Sequence, residues 1–286
     1  MLKKYFILFI FIFSFQQSVN AQESKIDTIN QSKGKLDIER ETNKERKKEI
    51  RLYSLSQFGK ESYLFIRQPL RWKGKDWIYP GALVVGTAVL TFADQPLRNA
   101  TQGDQNYYYN VAIEGGRIYG EWYSIVGLAG SFGVYGLLAS DTTAKKIAIE
   151  LLQAGIYSEA VTFLLKISVG RARPYTNEGP KSFHPFTGLN TDYNSFPSGH
   201  STSAFALSTI MSRHANSTAL KILAYVPAGF TLFSRIYQDK HWISDELLGA
   251  CVGFFVGNWV VDLHEAKRHR INVASIYPPT ISFALN

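Results

Sequence analysis

The chain has 286 residues, of which 45% are hydrophobic and 19% are charged, and its formal net charge is +8. The hydrophobic fraction lies within the range of globular proteins, and the low charged fraction favours a chain with a large apolar surface to bury, in a core or in lipid. The basic balance favours anionic partners, although the sequence has no nucleic-acid-binding pattern. The single cysteine, Cys251, excludes an intrachain disulfide and a zinc knuckle.

The first residues have the pattern of a signal peptide, which we assign to residues 1–21. Two lysines precede an apolar run from Tyr5 to Phe15 that is too short to span a bilayer, and Ala21 is a small residue at the cleavage position. We therefore predict export to the bacterial cell envelope, and an uncleaved anchor is the alternative. Residues 22–76 form a polar, charge-rich segment to which we assign no chemistry.

Helical patterning dominates from residue 77 onward, with no convincing alternation typical of strands. We predict an all-α fold, an antiparallel bundle of about six core helices embedded in a membrane, over residues 77–265. Residues 266–286 form a C-terminal tail. The six apolar segments cover approximately residues 77–93, 122–140, 145–169, 200–213, 219–236 and 242–262.

Two groups of glycines lie inside these segments. The first comprises Gly127, Gly130, Gly133 and Gly136, and the second comprises Gly249, Gly253 and Gly257. A glycine costs about 1 kcal/mol relative to alanine in a water-exposed helix, so the first group favours a membrane or a tightly packed bundle. The second group recurs at every fourth position, which predicts the close approach of another helix.

Three polar clusters occupy the C-terminal half. They are Lys166 with Arg173-Pro174, then Pro197-Ser198-Gly199-His200, then Ser234-Arg235 with His241 and Asp245. Glu159 and Thr162 share a helix face with Lys166, and we expect this face to point inward. In an antiparallel bundle, the helix ends that carry these clusters would meet at one rim.

Each cluster suits the chemistry of a phosphate group. Lys166, Arg173 and Arg235 provide three cations for its negative charges. Ser198 and Gly199 follow a proline and precede an apolar helix, and the free N–H groups of a helix N-terminus favour an anion.

Two histidines are candidates for the chemical steps. His241 and Asp245 are four positions apart, so they share one helix face. The carboxylate can hold one imidazole nitrogen and leave the other to attack phosphorus. His200 is then available to protonate the leaving oxygen as a general acid.

In order and spacing, the three clusters resemble the signature of the type 2 phosphatidic acid phosphatase family, which belongs with bacterial class A acid phosphatases and vanadium-dependent haloperoxidases. Every specified position is present, and the similarity covers roughly residues 80–262. The resemblance implies an all-helical bundle, no metal or other cofactor, and a phosphohistidine intermediate. It implies a nucleophile, its carboxylate partner and a general acid at His241, Asp245 and His200, and phosphate ligands at Lys166, Arg173, Ser198, Gly199 and Arg235. Arg171 lies outside the strict signature and is expected to have a supporting role.

Other chemistries fit the sequence less well. A serine hydrolase using Ser198, His241 and Asp245 would lack the nucleophile-elbow pattern and would leave the basic residues without a role. A metal site built from His184, His200 and His241 would lack carboxylate or cysteine partners.

The substrate and the location are linked. A membrane-embedded bundle with a periplasm-facing site would act on a phosphorylated lipid, such as phosphatidic acid, phosphatidylglycerol phosphate, undecaprenyl diphosphate or phosphorylated lipid A. A soluble periplasmic bundle would act on small phosphoesters. The oligomeric state is left open. If all six segments span the membrane, the residues before the first segment lie on the cytoplasmic side. A cleaved signal peptide would instead leave them outside, so the two predictions conflict.

Two rival functions use the same pocket. A vanadate-dependent haloperoxidase would bind vanadate, which is also expected to bind a phosphatase as a phosphate mimic. A membrane scaffold with a relic pocket is the non-enzymatic rival, and the cost of keeping several unneutralised charges in a buried pocket argues against it.

Overall fold

A computed structural model of the chain describes residues 54–102, 109–188 and 190–268. The proposed signal peptide, the first part of the polar segment and nearly all of the C-terminal tail lie outside these residues. The described helices are α1 Leu55–Ile66, α2 Ile78–Gln102, α3 Tyr109–Tyr119, α4 Trp122–Leu138, α5 Thr142–Val169, α6 Gly199–Arg213, α7 Thr218–Leu223, α8 Val226–Tyr237 and α9 Ile243–Arg268. The predicted all-α fold is confirmed, because the described residues contain a single isolated β-bridge, Arg171 with Phe183, and no longer β-ladder.

The boundaries differ from the prediction in three places. Helix α1 lies inside the segment that we described only as polar, and α3 lies between the first two predicted apolar segments, where we predicted no helix. The predicted segment 219–236 is divided into α7 and α8. Pro227 occupies the first turn of α8, where its missing N–H breaks no helical hydrogen bond.

Helix α6 is the central element of the bundle, although many of its residues are small and polar. Ser201, Thr202 and Ser208 are at most 2% exposed. Their hydroxyls are satisfied locally: the Thr202 hydroxyl lies 2.9 Å from that of Thr162, and the Ser208 hydroxyl lies 2.9 Å from that of Tyr119. Hydrogen-bonded hydroxyls remove the main cost of burying such a helix.

The glycines of α9 explain how α6 and α9 approach each other. A Cβ at Gly249 or Gly253 would overlap the backbone carbonyls of Ser198 and Thr202, respectively. A Cβ at Gly257 would lie 2.9 Å from the Thr209 Cβ. The predicted close helix approach is therefore present, and it brings the start of α9 beside the start of α6.

Only part of the first glycine group has a packing role. A Cβ at Gly136 would lie 2.8 Å from the Lys145 Cγ, whereas Gly127 and Gly130 have no neighbouring atoms within 4 Å of such a Cβ. Helix α4 therefore packs on α5 through one face and exposes the other. Among the large apolar side chains that α4 exposes are Val126, Val134, Leu137 and Leu138.

Several helices have the length and composition of membrane spans. Among the described residues, four stretches are long and apolar enough to cross a membrane: Gly74–Gln102, Thr142–Val169, Thr218–Tyr237 and Ile243–Ala266. Helix α4 is apolar but shorter. Large apolar side chains are also exposed on α2, including Val84, Val85, Val89 and Phe92. These exposed faces are suited to lipid, and they agree with a membrane-embedded bundle.

Candidate functional site

The three predicted clusters meet at one rim of the bundle. Helix α5 ends at Gly170, whose φ of 60° lies in the left-handed region, and a side chain there would collide with the His184 backbone. The chain then passes Arg171 and Arg173 before it reaches the N-terminus of α6. The ends of α5 and α8 and the starts of α6 and α9 lie together, as the antiparallel arrangement predicts.

His241 is buried at this rim, with 3% of its surface exposed. Its Nδ1 lies 3.7 Å from Asp245 Oδ2 and 3.5 Å from the Ser195 hydroxyl. Its Nε2 faces the other way and lies 3.5 Å from Arg173 Nη1. One ring nitrogen is thus directed to a carboxylate and the other to a cation of the pocket.

The Asp245 carboxylate is held on both oxygens. Oδ2 accepts hydrogen bonds from the Ser195 hydroxyl at 2.5 Å and from the Trp242 backbone N–H at 2.9 Å. Oδ1 accepts from Arg171 Nη1 at 2.6 Å. These contacts fix the carboxylate beside His241 in a site with no exposed surface.

The three predicted phosphate-binding cations are oriented mainly by neighbouring oxygen atoms. Lys166 donates to the Asn194 carbonyl at 2.6 Å. Arg173 donates to the Thr191 carbonyl at 2.7 Å and to the Lys240 carbonyl at 3.1 Å. Arg235 is 6% exposed and donates to Gln238 Oε1 at 2.6 Å, while its Nε has no hydrogen-bond partner. Because these partners are mostly neutral, the cations keep the capacity to bind an anion.

Ser198 and Gly199 occupy the N-terminus of α6, as predicted. Ser198 is the N-cap residue, and its fully buried hydroxyl accepts the Ser201 N–H at 3.4 Å. A Cβ at Gly199 would lie 3.9 Å from the Lys166 Cε, which shows that this turn passes close to the lysine side chain. Glu159 accepts a hydrogen bond from Ser203 at 2.7 Å and so faces inward with Thr162 and Lys166.

His200 lies in the first turn of α6, and its Nε2 is 3.2 Å from Glu121 Oε1. Among the described residues, this nitrogen has no hydrogen-bond partner, so the contact with Glu121 is one of proximity and charge. Glu121 is itself held by Arg117 at 2.6 Å. The loop between α3 and α4 therefore brings a carboxylate to the predicted general acid.

Both histidines are neutral in this environment. Burial lowers the pKa of His241 well below its ordinary value, and the nearby charges of Arg173, Lys166 and Arg235 lower it further. Burial, followed by the charges of Arg235, Arg173, Arg117 and Lys166, lowers the pKa of His200 to about 3. A neutral His241 has the lone pair that a nucleophile needs.

Several residues of the rim were not identified from the sequence. Ser195 and Glu121 contact the histidines, and Asp94 reaches the site from α2 through Arg171. Glu246 is fully buried and accepts a hydrogen bond from the Ser201 hydroxyl. Asp94 had a usable signal, because it is the only acidic residue in the apolar stretch 78–102, and ionisable residues in such helices are usually functional.

His184 is not part of this site. Its Nε2 lies 2.8 Å from Glu178 Oε2 and 3.0 Å from the Ser182 hydroxyl, and its ring packs against Tyr193. Within the described ranges, no group of three or more histidine, cysteine, aspartate or glutamate side chains is arranged to hold a metal ion. The metal site from His184, His200 and His241 that we considered therefore does not form.

Comparison with known proteins agrees with this architecture. A family model described as the PAP2 superfamily matches residues 148–269. A lipid A 1-phosphatase of Porphyromonas gingivalis is 40% identical over 92 residues, which is 30% of this chain and 21% of the relative. A lipid A 1-phosphatase of Rhizobium etli is 33% identical over 116 residues, which is 37% of this chain and 46% of the relative. This chain thus spans less than half of the length of either relative.

A solved structure has a similar fold. It is a transmembrane PAP2-type phosphatidylglycerolphosphate phosphatase from Bacillus subtilis, with a TM-score of 0.51 and 22% identity. The alignment covers 65% of this chain and 96% of that protein. At this identity the comparison supports the fold, a helical bundle of the PAP2 type.

Proposed function

We propose that this chain, whose residues 148–269 match a model of the PAP2 superfamily, is a phosphatase that removes phosphate from a lipid of the bacterial envelope. The observation that carries the proposal is the two-sided placement of His241. Its Nδ1 is directed to Asp245, and its Nε2 lies 3.5 Å from Arg173 within a group of cations. This arrangement is suited to an imidazole that attacks phosphorus in a bound phosphate.

The reaction proceeds in two steps. Binding of the anionic phosphate raises the low pKa of His200, which takes up a proton as the substrate binds. In the first step, the Nε2 lone pair of His241 attacks phosphorus, the bond to the leaving oxygen breaks, and that oxygen takes the proton from His200. In the second, water attacks the phosphohistidine, gives a proton to His200, and the P–N bond breaks with its electron pair returning to His241. Asp245 stabilises the positive charge that the ring carries in the phosphohistidine, between the first attack and the cleavage of the P–N bond.

The phosphate oxygens are held by Lys166, Arg173 and Arg235, together with Ser198 and the backbone N–H groups at the start of α6. A loose phosphoryl-transfer transition state places charge on the non-bridging oxygens, which these donors neutralise. The residues that would bind the phosphate supply the charge that a metal ion supplies in other phosphatases. The reaction should therefore need no metal ion.

A membrane lipid is the favoured substrate class. The two relatives named lipid A 1-phosphatase support a phosphorylated lipid, and the apolar faces of α2 and α4 support a site at headgroup depth. Lys145 and Lys221 lie towards the opposite rim, at the start of α5 and in α7. Basic residues are enriched on the cytoplasmic side, so the catalytic rim faces the periplasm.

The test is phosphate release by the full chain, purified in detergent, from lipid A 1-phosphate, phosphatidic acid, phosphatidylglycerol phosphate, undecaprenyl diphosphate and small phosphomonoesters. We expect lipid phosphates to be preferred and activity to persist in EDTA. His241→Ala should abolish turnover, whereas the control His184→Ala should retain it.

Each competing function has its own outcome in this test. A preference for small phosphomonoesters would support a soluble-type acid phosphatase instead. Bromide oxidation by peroxide with vanadate, without phosphate release, would support a haloperoxidase. Loss of activity under chelation, restored by zinc or magnesium, would contradict the metal-free mechanism.

A further inference from the structure

Arg171 is a fully buried cation that joins two carboxylates from different helices. Its Nη1 donates to Asp245 Oδ1 at 2.6 Å, and its Nη2 donates to Asp94 Oδ2 at 2.6 Å. Its Nε donates to the Pro180 carbonyl at 2.9 Å. Asp94 and Asp245 are themselves at most 1% exposed. The three side chains form a continuous charged chain from α2 to the partner of His241.

Asp94 has a second set of contacts at the start of α9. Its Oδ1 accepts the Ser244 backbone N–H at 3.0 Å, and its Oδ2 accepts the Ser244 hydroxyl at 2.8 Å. The Ser244 N–H is one of the first amides of α9, which have no partner inside the helix. Asp94 therefore holds both Arg171 and the turn that carries His241 and Asp245.

The net charge of Asp94, Arg171 and Asp245 explains what the second carboxylate, Asp94, contributes. Arg171 and Asp245 alone would form a neutral pair, whereas Asp94, Arg171 and Asp245 together carry one net negative charge. The charged groups that act most strongly on His241 are Arg173, Lys166, Arg235 and His200, all cationic or cation-capable. The buried Glu246 acts on Arg173 and Arg235. When Nε2 bonds to phosphorus the ring becomes positive, and the net negative charge behind Nδ1 offsets it.

We propose that Asp94 is a positioning residue for the nucleophile and acts on His241 through Arg171 and Asp245. This inference rests on the proposed phosphatase function. It assigns to α2, which lies outside the matched family region, a part in the reaction. In this proposal Asp94 does not contact the substrate. It fixes the Arg171 guanidinium, which in turn fixes the Asp245 carboxylate.

The experiment compares Asp94→Asn with Arg98→Gln. Arg98 lies one turn further along α2 and forms an ion pair with Asp239 at 2.7 Å. Its hydrogen bonds go to Asp239 and Asn177, so its loss also weakens the attachment of α2 but removes no hydrogen bond of Arg171 or Asp245. We expect Asp94→Asn to lower kcat by about 10- to 100-fold, as is common when the partner of a functional ligand is lost. The inhibition constant for vanadate should change less than about threefold, because no phosphate-binding residue is altered.

The pH profile provides a readout that a purely structural role would not change. Removing a negative charge near His241 lowers the pKa of its ring, and the neutral ring is the nucleophile. The acid limb of the kcat profile should therefore move to lower pH in Asp94→Asn. Asp94→Glu, which keeps the charge, should recover part of kcat, and Arg98→Gln should resemble the wild type.

Two results would overturn the inference. The first is a wild-type kcat and pH profile in Asp94→Asn. The second is a parallel loss of kcat, vanadate affinity and folded protein, which would show a structural role only. Nitrogen-15 NMR of His241 gives a test without turnover: the wild-type ring should be protonated at Nδ1, and Asp94→Asn should show a tautomer mixture. An unchanged tautomer contradicts the inference even if no substrate is hydrolysed, whereas an inactive wild type with this tautomer shift contradicts only the proposed function.

Discussion

Gly120 offers a way to displace the predicted general acid without altering it. This glycine lies in the turn between α3 and α4, where the chain passes directly over the start of α6. A Cβ at this position would lie 2.8 Å from the His200 carbonyl oxygen, 3.0 Å from the His200 Cβ and 2.6 Å from a Thr231 methyl group. Ordinary van der Waals contact begins at 3.4 Å. Gly120→Ala must therefore separate this turn from the His200 backbone by about half an ångström, which changes the position of His200 relative to the turn.

The size of the effect follows from this displacement. A misplacement of about 1 Å can cost 100-fold in rate, so half of that distance should cost about 10-fold. Overpacking should also lower the free energy of unfolding by about 1–3 kcal/mol. Gly127→Ala on α4 is the matched control, because a Cβ there meets no atom within 4 Å. It should leave kcat unchanged.

The assay uses the leaving group to identify the affected step. An activated ester such as p-nitrophenyl phosphate expels its leaving group with little help from an acid, whereas an alkyl phosphate needs a proton from His200. Gly120→Ala should therefore lose about 10-fold in kcat on the alkyl ester and much less on the activated ester. An equal loss on both esters, or wild-type rates on both, would refute the role given to this histidine.

Three further predictions concern His200 and a buried network towards the opposite rim. His200→Ala should accumulate phosphorylated protein from an activated ester, detectable by acid-quench labelling, since water attack in the second step loses its base. Sulfate should bind more tightly as the pH falls from about 7 to about 5, because a bound dianion raises the low pKa of His200 and proton uptake accompanies binding; calorimetry should show no such uptake in His200→Gln. Glu150, fully buried, contacts His214 at 2.5 Å and His264 at 3.0 Å, so Glu150→Gln should lower the thermal midpoint by weakening a network worth about 3 kcal/mol, with kcat unchanged.

The residues of the predicted site could be identified from the sequence, because short fixed spacings determine their placement. His241 and Asp245 are one helical turn apart, and Ser198 directly precedes a helix. Such local relations follow from helix geometry and need no knowledge of the tertiary fold. The structure brings these residues together, and their catalytic roles stay predictions.

Elements that depend on contacts with distant parts of the chain could not be predicted from the sequence in the same way. Helix α3 contains Gly115-Gly116, a pair that usually indicates a loop, but α3 packs so closely on α8 that a Cβ at Gly116 would overlap the Phe230 carbonyl. The Thr231 hydroxyl donates to the Gly116 carbonyl at 2.7 Å. Helix α1 was hidden by its charge, because Glu61 is buried against His264, a residue far along the chain. Both helices are therefore stabilised by tertiary contacts that the local sequence pattern does not reveal.

The residues that could be predicted from the sequence and those that could not differ in the charges they bring to the site. The signature supplies the cations and histidines, together with one of the acids, Asp245. Two further acids, Asp94 on α2 and Glu121 before α4, come from parts of the chain that the family match does not cover, whereas Glu159 and Glu246 lie within it. A site with three cations and two neutral histidines needs such acids to keep its charge in balance before substrate binds. We therefore predict that the intact signature alone is not sufficient for activity: a chain that kept it but lost Asp94 or Glu121 should fold and bind phosphate yet turn over slowly.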